Sequence, residues 1–223
     1  MKQPLLPLFA LMAALAVPQG AQAKAGDLDI KLFATYVAAD GKIDSVKYDG
    51  LSLPAGTASK ANDNVTPTMA LQYFVSDHIS LETIAGLTQH DIDGAGALGG
   101  TELASNVKIL PATVTVKYHF GADGGVRPYV GAGPSYFIFI DEKSGSTTQT
   151  MGASRLKVND TLGAAFQAGI DVPLNTKGMT LSLDAKRYIM RPTATWHAGE
   201  TMVLKTRQRL DPWLISAGLG FRF

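Results

Sequence analysis

The chain has 223 residues, 20 Lys and Arg against 19 Asp and Glu, 46% hydrophobic residues and no cysteine. So even a charge balance offers no basic surface for nucleic acid, and without thiols neither a disulfide frame nor a thiolate metal site can form. Beyond the first twenty-odd residues no apolar run is long enough for a membrane-spanning helix, which excludes a helical membrane protein but not a strand-built one.

The N-terminus reads as a secretory leader. Lys2 supplies a positive start, Leu5 to Val17 an apolar stretch, and Ala21-Gln22-Ala23 a small-residue cleavage site, so residues 1–23 are expected to be removed. The apolar run is too short for a spanning helix, and Pro7 and Pro18 flank it. Removal takes away Lys2 and leaves residues 24–223 with no net charge.

Eight segments of the remainder alternate between apolar and small or polar residues, the two-residue period of a strand with two different faces. In chain order they are Leu28–Ala38, Thr66–Val75, Ile79–Leu87, Pro111–Phe120, Arg127–Ile140, Thr161–Val172, Met179–Ile189 and Trp213–Phe223. Each is about the ten residues that a tilted strand needs to cross a bilayer. Their connections alternate in length. Short turns at 76–78, 121–126 and 173–178 are rich in Gly, Pro, Asn and Asp. The stretches 39–65, 88–110, 141–160 and 190–210 are expected to be long polar external loops. This pattern predicts an all-β fold, an eight-stranded antiparallel up-and-down transmembrane barrel spanning 24–223 with periplasmic termini. Tyr73, Phe74, Tyr118, Phe120, Trp213, Phe221 and Phe223 cluster at strand ends, where interfacial aromatics sit. A soluble lipocalin-like barrel, which would bury that apolar face, has no use for such girdles.

The second face of each strand points into a lumen only just wide enough for side chains. At the periplasmic end this face carries Lys31, Glu82, Lys117, Asp184, Lys186 and Arg222, together with His119 and Asp171. Charges of both signs in so narrow a tube should pair and plug it. In the outer half it carries Phe33, Val37, Ile84, Phe137, Tyr188 and Leu214. These could line a cavity for a hydrophobic small molecule or pack as a filled core, and the residues alone leave both open. Pro67, Pro111 and Pro134 lie in or beside strands toward their outer ends. Each removes an N–H from a ladder, and together they could mark a lateral opening in the wall.

Several segments together resemble the outer membrane protein W (OmpW) family. They are Leu110-Pro-Ala-Thr-Val-Thr-Val-Lys-Tyr-His-Phe120, Arg127-Pro-Tyr-Val-Gly-Ala-Gly133, Phe166-Gln-Ala-Gly-Ile-Asp171, Asp184-Ala-Lys-Arg-Tyr188 and Pro212-Trp213 through Phe223. The resemblance covers essentially all of 24–223. It implies an eight-stranded barrel with a hydrophobic lumen and a lateral opening that passes small hydrophobic compounds across the outer membrane of a Gram-negative bacterium. The terminal strand ending on Phe223 also resembles the C-terminal signal read by the barrel-assembly machinery. The expected partners are outer-membrane lipid and small hydrophobic solutes, with the protein a monomer and with no nucleic acid or cofactor.

Two other functions compete. One is a structural or adhesive barrel with a filled lumen and partner-binding loops. The other is a lipid-modifying enzyme, which needs a nucleophile and a base within hydrogen-bond reach. His90, Asp91, His197, Ser105, Ser144 and Ser146 are loop residues with nothing in their spacing to bring them together, so no catalytic site is expected. The scattered histidines, His90-x-x-Asp93 included, do not form a metal site, and a solvated loop accounts for His90.

Overall fold

A computed structural model of the chain describes residues 23–121 and 125–223. The expected leader 1–23 lies outside the described residues save for Ala23, and the expected turn 121–126 does so in part. In chain order the elements are β1 (Leu28–Ala38), β2 (Gly41–Asp49), β3 (Thr57–Ala61), β4 (Asn64–Phe74), β5 (Ile79–Ala85), β6 (Thr88–Gly96), β7 (Glu102–His119), β8 (Arg127–Ile140), β9 (Lys143–Ser144), α1 (Ser146–Thr150), β10 (Arg155–Val158), β11 (Thr161–Pro173), β12 (Met179–Ile189), β13 (Thr193–Ala198), β14 (Thr201–Leu210) and β15 (Trp213–Arg222).

Eight of these strands, β1, β4, β5, β7, β8, β11, β12 and β15, form a closed antiparallel barrel. The hydrogen-bonded path runs β7-β5-β4-β1-β15-β12-β11-β8, and β7 pairs with β8 to close it. The last strand pairs with the first from Asp29–Arg222 to Ala38–Trp213. Backbone bonds between Leu28 and Phe223 finish that seam (2.9 and 3.1 Å). Closure gives each barrel strand a paired neighbour on both sides, the condition for β structure in hydrocarbon.

The burial of the strands follows the two-residue alternation. In β1 the even positions Leu32, Ala34 and Tyr36 are exposed, while Lys31, Phe33, Thr35 and Val37 are buried. The same holds around the wall, where Met69, Leu71, Val114, Val116, Leu162, Phe166, Leu183, Ile215 and Leu219 all face outward. A belt of exposed large apolar residues around a polar interior reverses the pattern of a soluble protein and requires an apolar solvent outside.

The four external stretches are not polar loops. The stretches 39–65 and 88–110 hold β2, β3, β6 and the first half of a β7 that runs eighteen residues. The other two hold β9, α1, β10, β13 and β14. Four of these strands form a separate sheet in the order β10-β13-β14-β2. The wall therefore continues beyond the membrane, and its inward face carries Leu103, Val107, Leu156, Val158, Trp196 and Leu204. Outside the hydrocarbon the outward positions turn polar, so alternation persists while mean hydropathy falls.

Candidate functional site: a divided lumen

The interior is layered by chemistry. Nearest the periplasm, Arg222 Nε and its second guanidinium nitrogen donate to the two oxygens of Asp29 (2.7 and 2.8 Å). One layer up, Lys31 Nζ reaches both oxygens of Asp171 (2.8 Å each), which also accepts from Ser182 Oγ (2.5 Å). Above that, Glu82 accepts from Lys117 (2.7 Å), Lys186 (3.1 Å) and Gln167 (3.2 Å). Lys117 also donates to Gln72 (2.7 Å) and stands 3.6 Å from the centre of the Tyr129 ring, whose hydroxyl donates to Asp184 (2.8 Å). His119 meets the Ser80 hydroxyl (2.8 Å). All six residues named for the periplasmic end thus face inward, and their hydrogen bonds tie together all eight strands of the barrel.

A hydroxyl layer follows. Thr35 joins Thr68 (2.7 Å) and Ser216 (2.9 Å), and Thr113 joins Ser135 (2.6 Å) and Tyr188 (3.1 Å). These groups satisfy one another at the level where the lining changes from ionic to apolar.

Above the hydroxyls lies an apolar cavity of ≈ 100 Å³. Its lower wall contains Val37, Phe137, Tyr188 and Leu214, with Phe137 edge-on to Tyr188 at 5.1 Å. Its upper wall comes from the external extension, notably Ile92, Val107, Leu156, Met190, Trp196 and Leu210. Phe33 and Ile84 point inward but lie below this lining. The register sets Phe33 opposite Thr68 and Gly218, and Ile84 opposite Ala70 and Thr113, at the hydroxyl layer. The upper wall was missed in the sequence because its residues fall in stretches that read as loops. One signal was available: Ala194 and Trp196 alternate with Thr193 and Thr195 before Gly199-Glu200, a hairpin with Gly at its first turn position.

His90 is a further correction. It is 6% exposed and lines the cavity, with Nδ1 2.8 Å from the Asn62 carbonyl, and is not a solvated loop residue. Burial holds its pKa below the ordinary 6.5, against the opposite pull of the Asn62 carbonyl, Asp63 and Asp91. No group of three or more metal-ligating side chains occurs among the described residues.

Pro111 and Pro134 sit on the paired strands β7 and β8, and Pro67 on β4, separated from β7 by the short strand β5, around interrupted ladders. The β4–β5 pairing ends at Met69–Ala85. Pairing with β7 stops at Ile84–Thr113 and resumes at Thr88–Ile109. Gly86 and Leu87 fall in this interval, with Pro67 to one side and Pro111 to the other. Among the described residues neither has a ladder partner, though Thr66 Oγ1 donates to the Leu87 carbonyl (2.9 Å). A second interruption lies between β7 and β8, where Thr113–Ser135 and Val116–Ala132 pair but Val114, Thr115, Gly133 and Pro134 do not. The cavity lining reaches the first interruption at Thr88, Ile109 and Pro111.

A closed eight-stranded barrel with an apolar exterior and an ionic floor is an outer-membrane barrel. The profile of the OmpW family matches residues 24–223. The chain belongs to that family, and its place is the outer membrane of a Gram-negative bacterium. Outer membrane protein W of Vibrio cholerae serotype O1 is 31% identical over 226 residues, covering 100% of both chains. The dibenzothiophene metabolism operon protein PahQ of Pseudomonas aeruginosa is 28% identical over 179 residues, 80% of each chain. The crystal structure of the outer membrane protein OprG from Pseudomonas aeruginosa superposes with a TM-score of 0.79 at 28% identity, covering 92% of this chain and 99% of that one.

Proposed function

We propose that the barrel, acting as a monomer, passes small hydrophobic molecules by diffusion from the outside into the cavity and then sideways into the bilayer. The observation that carries this reading is the apolar cavity standing above a closed ionic floor. A solute in the cavity has two ways onward. The downward way crosses Lys31, Glu82, Lys117, Asp184, Lys186 and Arg222, whose pairs would have to separate in a low-dielectric interior. The sideways way passes the unpaired interval at Gly86 and Leu87, between Pro67 and Pro111, with Pro134 at the next seam. In this reading Val37, Phe137, Tyr188 and Leu214 bind the solute, the six charged residues are a plug, and the prolines mark the exit. The likeness to PahQ supports an apolar aromatic cargo, since that relative is named for an operon of dibenzothiophene metabolism.

The test is uptake of an apolar fluorescent probe by liposomes holding the reconstituted protein. Phe137 is 1% exposed on the cavity wall, and Phe137→Asp sets a charge there that an apolar solute cannot solvate. Uptake should fall about tenfold or more, equivalent to about 1.4 kcal/mol, while the barrel stays folded. Uptake equal to the parent's in a folded Phe137→Asp barrel would remove the lumen from the route.

A further inference from the structure

The external sheet has two chemically opposite faces. Its inward face carries Leu156, Val158, Ala194, Trp196 and Leu204 and roofs the cavity. Its outward face is cationic. The four strands hold Lys42, Lys47, Arg155, Lys157, Lys205, Arg207 and Arg209, against Asp44 and Asp49. Asp49 is occupied in accepting from the Leu51 and Leu53 amides (3.1 and 2.9 Å).

Register places these cations side by side. Lys157 lies opposite Thr195, Thr195 opposite Lys205, and Lys205 opposite Tyr48, one row across the sheet. Arg207 lies opposite Thr193 and Ser45 in the next row down, and Arg209 opposite Lys42 in the row below. Rows two residues apart on one face are about 7 Å apart, so the patch climbs the outside of the extension in steps. Arg155 has Glu200 at 3.7 Å and Arg209 has Asp211 at 4.0 Å. Among the described residues Lys42, Lys157, Lys205 and Arg207 have no acidic partner. Apart from Asp49, Asp44 is the one exposed acid within the patch, so cations held this close remain in excess and repel one another, a cost that an external anion relieves.

The position of the patch names that anion. The β13–β14 hairpin grows directly from β12 and β15 through the Met190–Leu210 bridge. Its outward face therefore continues the lipid-facing side of the barrel. Trp213, at the start of β15 and 45% exposed, marks the edge of the hydrocarbon, and Arg209, Arg207 and Lys205 rise from there. A vertical face just above the acyl chains meets the headgroups of the surrounding outer leaflet. In a Gram-negative outer membrane these are the phosphorylated sugars of lipopolysaccharide. The extension above the opposite wall lacks this bias: β3, β6 and the outer part of β7 carry Lys60 and Lys108 against Asp91, Asp93 and Glu102.

We propose that the outward face of the sheet β10-β13-β14-β2 docks the phosphate groups of lipopolysaccharide, with Lys42, Lys157, Lys205 and Arg207 as its cationic contacts. Bound lipid would brace the sheet that roofs the cavity from the side away from the solute.

The test measures binding of purified lipopolysaccharide to the folded full chain in a neutral detergent, beside dephosphorylated lipopolysaccharide and inorganic phosphate. Each Lys or Arg beside an anionic lipid surface contributes about fivefold in affinity. The combined variant Lys42→Gln, Lys157→Gln, Lys205→Gln and Arg207→Gln should therefore bind at least tenfold more weakly, allowing for screening by salt. Lys60→Gln on the opposite extension should bind as the parent does. Heat-modifiable migration reports folding. If the fourfold variant fails to fold, Lys157→Gln and Lys205→Gln, singly and at half-exposed or exposed positions, should each lose about fivefold. Equal binding by folded variants and parent would overturn the proposal. So would equal binding of the dephosphorylated lipid, or inorganic phosphate binding as tightly as the lipid, which would make the patch a free-anion site.

Discussion

Glu82→Gln is the sharpest perturbation of the periplasmic half of the lumen. Glu82 is 3% exposed and accepts from Lys117, Lys186 and Gln167. The amide keeps the shape of the side chain but loses its charge. Lys117 retains Gln72 and the Tyr129 ring. Lys186 fares worse, because among the described residues its ammonium hydrogen-bonds only to Glu82. A buried cation deprived of its partner costs about 3–5 kcal/mol, and Lys186 carries most of that here. Urea unfolding of the reconstituted barrel, followed by tryptophan fluorescence and heat-modifiable migration, measures the loss. The double variant Glu82→Gln/Lys186→Met should recover most of it, because an apolar chain of similar volume replaces the stranded charge. A loss below about 1 kcal/mol for Glu82→Gln would mean that water screens the network as it screens surface pairs. The floor would then be open to solvent, and the argument for a sideways route would fail with it.

Phe223→Ser should lower the yield of folded barrel in the outer membrane. Its backbone bonds to Leu28 can persist and its side chain is 74% exposed just past β15, so a lower yield would point to reading of the terminal aromatic during assembly; an unchanged heat-modifiable fraction would show the aromatic to be incidental. Acid should loosen the external extension through His90. Its folded pKa lies below 6.5, so between the two values the unfolded chain holds more protons, and stability is lost as pH falls below about 6.5. Faster amide exchange in 88–110 at pH 5 than at pH 7, after correction for intrinsic rates, should appear in the parent and disappear in His90→Gln. The same difference in both would assign the effect to another group.

The barrel was legible in the sequence to within a few residues because lipid outside and charge inside keep the two faces of each strand unlike. Leu28–Ala38, Arg127–Ile140 and Met179–Ile189 coincide with observed strands. The external extension was not legible. There water replaces lipid on the outward face, and Thr193, Thr195 and Lys205 read as loop residues although Ala194, Trp196 and Leu204 between them are buried. Nor could the sequence place Phe33 and Ile84 below the cavity. Inward direction follows from parity, but height follows from the shear of the sheet, which only the cross-strand register supplies. The prolines show the same limit. Each one announces a missing ladder bond, but the nearness of Pro67 on β4 to Pro111 on β7, with only the end of β5 between them, and of Pro111 to Pro134 on β8, depends on the strand order.

On the proposed route the divided lumen and the interrupted wall act together. Burying about 200 Å² of apolar surface in the cavity gains a solute about 5 kcal/mol over water. A cavity that ended there would be a trap, and the deeper its walls the slower the release. The bilayer beside it offers the same gain without confinement, so the step from cavity to lipid costs little once the wall permits it. A continuous hydrogen-bonded ladder would not permit it, because each opened pair would leave a donor and an acceptor facing hydrocarbon. Proline removes that cost in advance, since a residue without an N–H leaves no donor to strand. On that route the ionic floor would serve the same end from below. With Lys117 and Lys186 tied to Glu82, the proposed route leaves the cavity at the interval of Leu87, whose side chain is 47% exposed on the outside of the wall.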